Sequence, residues 1–106
     1  MTTASDTGVN DLFVAMAHPL RRRILRAMHA NGGGDLSPRE LSQRLEQPLS
    51  RLSYHVKVLA RCQAIELVAT QPVRGSTQHF YRSVVAADWA LMALEASAEP
   101  PHKGRR

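Results

Sequence analysis

Apolar side chains recur along most of this chain at the three- and four-residue intervals of amphipathic helices. Between Val9 and Met16 they fall at i, i+3, i+4 and i+7. A second such stretch begins at Pro19, a residue favoured in a first helical turn. Three more follow, and the pattern therefore predicts helices over 9–16, 19–30, 38–45, 49–61 and 86–98.

One segment departs from that spacing, because apolar and polar side chains alternate in it as they do in strands. The sequence AIELVAT at 64–70 is typical of one strand, and QHFYRSV at 78–84 of a second. Between them, PVRGST at 72–77 has the residues of a turn. A β-hairpin is therefore predicted between the fourth and fifth helices.

Short polar motifs mark where the helices begin and end. NGGG at 31–34 ends the second helix, since glycine tolerates the left-handed geometry of a helix terminus. SPRE at 37–40 is a capping box, in which Ser37 caps the third helix and Glu40 reaches back to it. EQP at 46–48 leaves only a tight turn before the fourth helix.

The order helix, helix, short helix, tight turn, helix, hairpin, helix is that of a winged helix-turn-helix. The predicted fold class is mainly α with a small β-hairpin, with about five helices and a wing sheet of two or three strands. A length of 106 residues fits one such domain. We assign the domain to 9–97, with a disordered segment before it at 1–8 and a flexible basic tail after it at 98–106.

The helix predicted over 49–61 has two unlike faces. At about 100° per residue, its apolar side chains cluster within about 80° of one another; they are Leu49, Leu52, Val56 and Leu59. The far side, an arc of roughly 120°, carries hydrogen-bond donors and positive charge without a carboxylate. This outer arc consists of Ser50, Arg51, Tyr54, Lys57 and Arg61. Val58 is an apolar residue predicted to lie on the same side.

The outer arc has the chemistry to bind the major groove of DNA. Arg51 can donate two hydrogen bonds to guanine, Ser50 can bond to a base edge or a phosphate, and Tyr54 adds a hydroxyl on a flat ring. Lys57 and Arg61 lie further along, where the helix would pass the phosphate backbone. The alternative is a solvated basic face, which is common on helices. The position between a tight turn and a hairpin favours DNA.

Composition points to the same kind of partner. Fourteen Lys and Arg against nine Asp and Glu give a net charge of +5, and twelve of the fourteen are arginine, which grips phosphate with two donors. A basic surface is compatible with a polyanionic partner but does not by itself identify one.

Cys62 is the only cysteine, which excludes an intrachain disulfide framework. With neither a signal peptide nor about eighteen consecutive apolar residues, a cytoplasmic protein without a membrane partner is expected.

Three segments together resemble the ArsR-type winged-helix transcriptional regulators: HPLRRRILRAM, SPRELSQRLEQPLSRLSYHVKVL and IELVATQPVRGSTQHFYRSV. The likeness covers about residues 10–84. It implies a homodimer that binds a palindromic operator in double-stranded DNA, usually as a repressor that a metal or another signal releases. By position it implies base contacts from Ser50, Arg51, Ser53 and Tyr54. It also places Arg74 at the wing tip and gives His55 a packing role.

This chain departs from the metal sensors of that family. The resemblance implies two kinds of metal site. One uses cysteines at the start of the helix before the recognition helix, where this chain has SPRELSQRL and no cysteine. The other uses Asp and His pairs on the last helix. The last helix has Asp88 and Glu95 but no histidine. We therefore predict no metal and no cofactor.

The sequence gives weaker support to a redox role or an enzymatic one. A redox-sensing role for Cys62 stays open, since Arg61 beside it would favour the thiolate. The simpler interpretation is that Cys62 is a small buried hydrophobic residue at a helix end. An enzyme is not predicted, because Ser53 and His55 have no orienting carboxylate nearby and NGGG lacks the lysine of a phosphate loop.

The last predicted helix is apolar around almost its whole circumference. A domain of this size has little core with which to cover it. A homodimer would bury it with the first helix, through Leu12, Phe13, Met16, Trp89, Met92 and Ala93. Twofold symmetry would then place two copies of helix 49–61 roughly 34–36 Å apart. The alternative is that the helix only caps its own domain.

Two further functions stay open. The same surface can serve a winged-helix interaction module with a protein or RNA partner, and the arginines of 21–26 are compatible with either use. A small-molecule effector of unknown identity can bind in a dimer pocket near Trp89 and Met92, in addition to DNA.

Overall fold

The computed structural model describes residues 9–31 and 35–96. Its elements are α1 (Val9–Met16), α2 (Pro19–Ala30), α3 (Pro38–Leu45), α4 (Leu49–Arg61), β1 (Ile65–Val73), β2 (Ser76–Ser83) and α5 (Asp88–Ala96). The predicted winged helix-turn-helix is therefore confirmed. The predicted disordered segment at 1–8, the tail at 98–106 and the glycines at 32–34 lie outside the described residues.

The second helix lies at the centre of the hydrophobic core. It packs against α1, α3, α4, α5 and β2. Its buried stripe is the predicted one: Leu20, Ile24, Leu25 and Met28. Because this stripe meets α4 on one side and α5 on another, α2 holds the inner face of α4 in place and leaves the other side free.

The capping box predicted at the start of α3 is confirmed. The Glu40 backbone N–H donates to Ser37 Oγ at 3.2 Å, and the Ser37 backbone N–H donates to Glu40 Oε1 at 2.9 Å. Ser37 is fully buried, and removal of its hydroxyl would leave the part-buried Glu40 N–H without its acceptor.

We expect Ser37→Ala to lower the free energy of unfolding by about 1–2 kcal/mol, because the hydrogen bond that caps α3 is lost. Urea denaturation followed by circular dichroism measures this change. Ser50→Ala, at an exposed position in the first turn of α4, is the control and should shift stability by less than about 0.5 kcal/mol. Equal losses in the two variants would contradict the capping role.

The turn between α3 and α4 is short because one residue reverses the chain. Glu46 ends α3 in the left-handed conformation, with φ of 54°. The turn is held by Gln47, whose N–H donates to the Ser42 carbonyl at 3.1 Å while its own carbonyl accepts from Ser42 Oγ at 2.6 Å. This tight connection sets the start of α4 beside the end of α3.

The wing is a two-stranded antiparallel hairpin with an added single-residue bridge between Leu36 and Tyr81. Both strands are longer than predicted, because only Arg74 and Gly75 form the turn. Their φ values of 46° and 84° are the positive pair that suits a two-residue hairpin loop. The predicted alternation along β1 is interrupted by a register shift between Leu67 and Ala69. Arg74 lies at the wing tip, as expected.

Candidate nucleic-acid interface

The fourth helix leaves the body of the protein at its N-terminal end. All three residues of its start, Leu49 to Arg51, are exposed, whereas Val58, Leu59 and Cys62 near its end are buried. Two predictions from the helical wheel are therefore wrong. Leu49 is 41% exposed instead of buried, and Val58 is 8% exposed instead of lying outside. A wheel treats every turn alike, but neighbouring elements cover this helix on more sides toward its C-terminal end.

The outer arc is exposed along its whole length, at Ser50, Arg51, Tyr54, Lys57 and Arg61. Within residues 9–31 and 35–96, the three cations of the arc form no hydrogen bond or ion pair with other side chains. No side chain caps the start of α4, where Pro48 precedes the helix. The cations of the outer arc therefore have no hydrogen-bonding or ion-pair partner among the described side chains and are available to bind a ligand.

Ser53 lies apart from the outer arc. Its side chain is half-buried and lines a cleft between α3, α4 and β2. A base contact from Ser53 stays a prediction, and the structure places this residue on the flank of α4 rather than at the centre of the arc.

His55 has the packing role that the resemblance implied. It is buried behind the arc, with its Nδ1 3.1 Å from Arg21 Nη1. Because a guanidinium only donates, Nδ1 accepts and the ring proton lies on Nε2. The His18 ring stacks against it with centroids 4.3 Å apart, and the Tyr54 ring meets it edge-on at 5.0 Å. His55 thus supports Tyr54 from below.

Burial lowers the pKa of His55 below its ordinary value of 6.5, and electrostatic interactions with His18, Arg21 and Arg51 lower this pKa further. The unfolded chain therefore takes up a proton on His55 at a higher pH than the folded protein does. Stability from this group is complete above about pH 6.5 and is lost as the pH falls below that value.

We expect the midpoint temperature of thermal unfolding to decrease as the pH is lowered from 7.5 to 5.5. It should decrease less in His55→Gln, whose amide oxygen can still accept a hydrogen bond from Arg21. Differential scanning calorimetry across this range measures both slopes. His79→Gln, at an exposed position on β2, is the control and should keep the wild-type slope. A His55→Gln slope equal to that of the wild type would contradict this role of burial.

Two arginines of α2, Arg21 and Arg22, bind the C-terminal end of α1. Arg21 donates from Nε and Nη2 to the Val14 carbonyl at 3.2 and 2.9 Å, and Arg22 Nη1 donates to the Met16 carbonyl at 2.6 Å. These carbonyls lie at the C-terminal end of α1, which has no basic residue of its own in its last turn. Sequence reasoning missed this use, although a basic run directly after a short helix is a signal for it.

Cys62 is buried at the end of α4. Burial raises the pKa of its thiol, and Asp11 raises it further, against smaller opposing effects of Arg21 and Arg61. Arg61 favours the thiolate, as expected, but burial outweighs its charge, so the pKa of the Cys62 thiol is raised rather than lowered. Cys62 acts here as a small apolar core residue.

An apolar surface lies on the side formed by α1 and α5. Phe13 is 55% exposed, Trp89 39% and Met92 71%, and the Phe13 and Trp89 rings lie 4.9 Å apart. We call these three residues the apolar face. Of the other residues predicted for dimerisation, Ala93 is half-buried beside the face. Leu12 and Met16 are buried in the subunit's own core, so they support this surface from within.

A metal-binding cluster and a membrane-spanning helix are both absent from the residues that the structure describes. No group of three or more His, Cys, Asp or Glu side chains there is placed to hold a metal ion. Within the same ranges, no helix has the length and apolar character needed to cross a membrane.

Comparison with known proteins agrees with this architecture. A family model described as a helix-turn-helix domain matches residues 16–68, which is half of the chain. The solved structure of NolR from Sinorhizobium fredii is similar, with a TM-score of 0.58 and 22% identity over 82% of this chain and 77% of that one. An ArsR family transcriptional regulator has a TM-score of 0.55 and 21% identity, over 91% of this chain and 87% of that one. No curated protein sequence matches significantly.

The family match spans the end of α1, the helix-turn-helix of α3 and α4, and the start of β1. It therefore covers the outer arc and the tight turn that sets its position. The similar structures extend the likeness of fold to the wing. The chain belongs to the helix-turn-helix domain family, and its fold is that of the ArsR-type winged helix-turn-helix regulators.

Proposed function

We propose that this chain is a sequence-specific DNA-binding transcriptional regulator that binds a palindromic operator as a homodimer and acts as a repressor. Membership of the helix-turn-helix family supports the DNA-binding regulator, as do the similar folds of NolR and of an ArsR family transcriptional regulator. The observation that carries the proposal is the outer arc of α4, which is exposed along the whole length of the helix.

The geometry of α4 suits entry into the major groove by its N-terminal end. Ser50, Arg51 and Tyr54 lie within its first two turns, where a recognition helix contacts base edges. Lys57 and Arg61 follow further along, where they reach the backbone phosphates. Arg74 at the wing tip adds a cation on a second element, beyond the reach of α4.

The apolar face supports a homodimer. Phe13, Trp89 and Met92 would leave two aromatic rings and a thioether in water if the subunit stayed alone. A twofold axis through this face buries the same three residues of both subunits at once. It also duplicates α4, and two symmetric copies of α4 require an operator with two symmetric half-sites.

Repression follows from occupancy. A dimer that spans two successive major grooves covers about one helical turn of duplex between its half-site centres. When such a site overlaps a promoter, the bound protein excludes other proteins from the same grooves. We therefore propose a steric repressor.

Selection of bound duplexes from a random pool tests this function. We expect enrichment of a palindrome with half-site centres roughly 10–10.5 base pairs apart. Fluorescence anisotropy should then show that affinity for this duplex falls steeply as salt rises, because bound phosphates release counterions. Absence of an enriched motif, affinity independent of salt, or equal binding to single-stranded RNA would contradict the proposal.

A further inference from the structure

Two clefts flank the outer arc, one on each side of α4. The wing-side cleft, of about 410 Å³, lies between α3, α4 and β2 and includes Arg39, Lys57 and His79. The α2-side cleft, of about 250 Å³, lies between the starts of α2 and α4 and includes His18 and Arg51. Among the described residues, neither cleft is lined by a carboxylate.

The positions of these clefts around α4 follow from helix geometry. Measured from Leu49 at about 100° per residue, Ser53 and Lys57 of the wing-side cleft lie near 40° and 80°. Arg51 and His55 of the α2-side cleft lie near 200° and 240°. The outer arc fills the angles between them, so each cleft borders one edge of the arc.

We propose that the two clefts bind the two sugar-phosphate strands that border the major groove, the wing-side cleft through Arg39 and the α2-side cleft through His18. This inference rests on the proposed function, in which α4 enters that groove. A helix in the major groove has one phosphate strand along each side. Each cleft carries cationic or hydrogen-bond donor groups and no carboxylate, so each is complementary to the negatively charged phosphates of one strand.

Arg39 is free to bind a phosphate. Its side chain is exposed, and it forms no hydrogen bond or ion pair within the described parts of the chain. Arg44, on the same helix, differs in this respect, because its Nη2 donates to Asn31 Oδ1 at 3.2 Å. The hydroxyls of Ser53 and Thr77 in the wing-side cleft add neutral donors for the same strand.

His18 has one nitrogen committed and one available. Its Nδ1 accepts the Leu20 N–H at 3.0 Å and so caps α2. The proton of the neutral ring therefore lies on Nε2, which is a donor. Stacking on His55 restricts the plane of this exposed ring. A phosphate oxygen is the acceptor that this donor would meet at the edge of the outer arc.

The openness of both clefts to solvent and their position on opposite flanks of one arc favour a continuous duplex over a small anion. A small anion would need only one cleft. A duplex that contacts the arc must bring a phosphate strand past each side of it. The two clefts therefore act together, each on one strand of the same duplex.

Two substitutions test the pair in the full chain. Arg39→Gln removes the charge and retains the aliphatic stem. His18→Asn removes the Nε2 donor, while the Asn amide oxygen can still accept from the Leu20 N–H, since Asn is a favourable helix cap. Arg44→Gln is the control on α3. Thermal unfolding of each variant confirms that the fold is retained.

Fluorescence anisotropy on the selected operator and on an unrelated duplex, over a range of salt, gives the readout. We expect Arg39→Gln to weaken binding to both duplexes by about 3- to 10-fold and to reduce the salt slope by about two, one for each subunit of the homodimer. His18→Asn should weaken both by about 2- to 5-fold with an unchanged slope, since a neutral donor displaces no counterion. Arg44→Gln should match the wild type.

Three results would overturn the inference. The first is that Arg39→Gln and Arg44→Gln have the same affinity for both duplexes and the same salt slope. The losses could be confined to the operator, which would make these residues base-reading. Inorganic phosphate or another small anion could bind a cleft whose variants leave DNA affinity unchanged. If Arg51→Ala alone weakens operator binding, the clefts fail and the proposed function stands. If the wild type binds no duplex, the proposed function itself fails.

Discussion

We expect Arg51→Ala to lower affinity for the selected operator by about 30-fold or more and to leave affinity for an unrelated duplex within about threefold. A bidentate contact to a base edge contributes about 1–3 kcal/mol of discrimination, and a homodimer contains two of them. Arg51 is exposed and forms no hydrogen bond or ion pair within 9–31 and 35–96, so its loss should leave folding intact. Fluorescence anisotropy at fixed salt measures both affinities.

Arg44→Ala is the matched control for Arg51→Ala. It removes the same side chain from an exposed position on α3, outside the outer arc. We expect its operator affinity to stay near the wild-type value. If Arg51→Ala weakened binding equally on both duplexes, the residue would contact backbone rather than bases. If both variants retained full affinity, the outer arc would not be the contact surface.

We expect Met92→Glu to prevent the proposed homodimer from forming and to lower affinity for the palindrome by about 100-fold or more. Met92 is the most exposed member of the apolar face, so a buried carboxylate there would pay a large desolvation cost on dimerisation. Without a dimer, the second half-site no longer gains from the high local concentration that the first creates, an effect of about 10²–10⁴ in affinity. Analytical ultracentrifugation and anisotropy measure the two changes.

Met92→Leu is the control for Met92→Glu, because it keeps an apolar side chain of similar volume. It should sediment as the wild type does and bind the palindrome with unchanged affinity. A wild-type protein that sediments as a monomer at micromolar concentration would contradict the dimer. So would a Met92→Glu variant that keeps its dimer.

Local signals in the sequence predicted the parts of the fold that depend on neighbouring residues. The capping box of Ser37 and Glu40 needs only a spacing of three residues, and the stripe of α2 needs only one helical period. The outer arc was predicted for the same reason, since its members lie on one side of one helix. All five of its residues are exposed as expected.

Tertiary contacts decide the features that were missed. The environments of Leu49 and Val58 are the reverse of those predicted, because the body of the protein covers α4 on more sides toward its C-terminal end. The bonds from Arg21 to the Val14 carbonyl and to His55 join three helices, and no spacing along the chain encodes that meeting. The register shift between Leu67 and Ala69 likewise depends on the partner strand.

The apolar face was predicted only in part. A nearly uniform apolar helix at 86–98 indicated that one surface needed cover, and Phe13, Trp89 and Met92 form that surface. Leu12 and Met16 were assigned to it as well, because a helical stripe does not distinguish residues facing their own core from residues facing a partner. The structure makes that distinction.

Photocrosslinking from position 54 tests whether the outer arc contacts DNA. Tyr54→p-benzoylphenylalanine places a reactive ketone in the middle of the outer arc, and Met92→p-benzoylphenylalanine places one on the apolar face. With the selected operator present, we expect position 54 to crosslink to DNA within each half-site and position 92 to crosslink to the second subunit. A crosslink from position 54 to the second subunit, with none to DNA, would contradict the account.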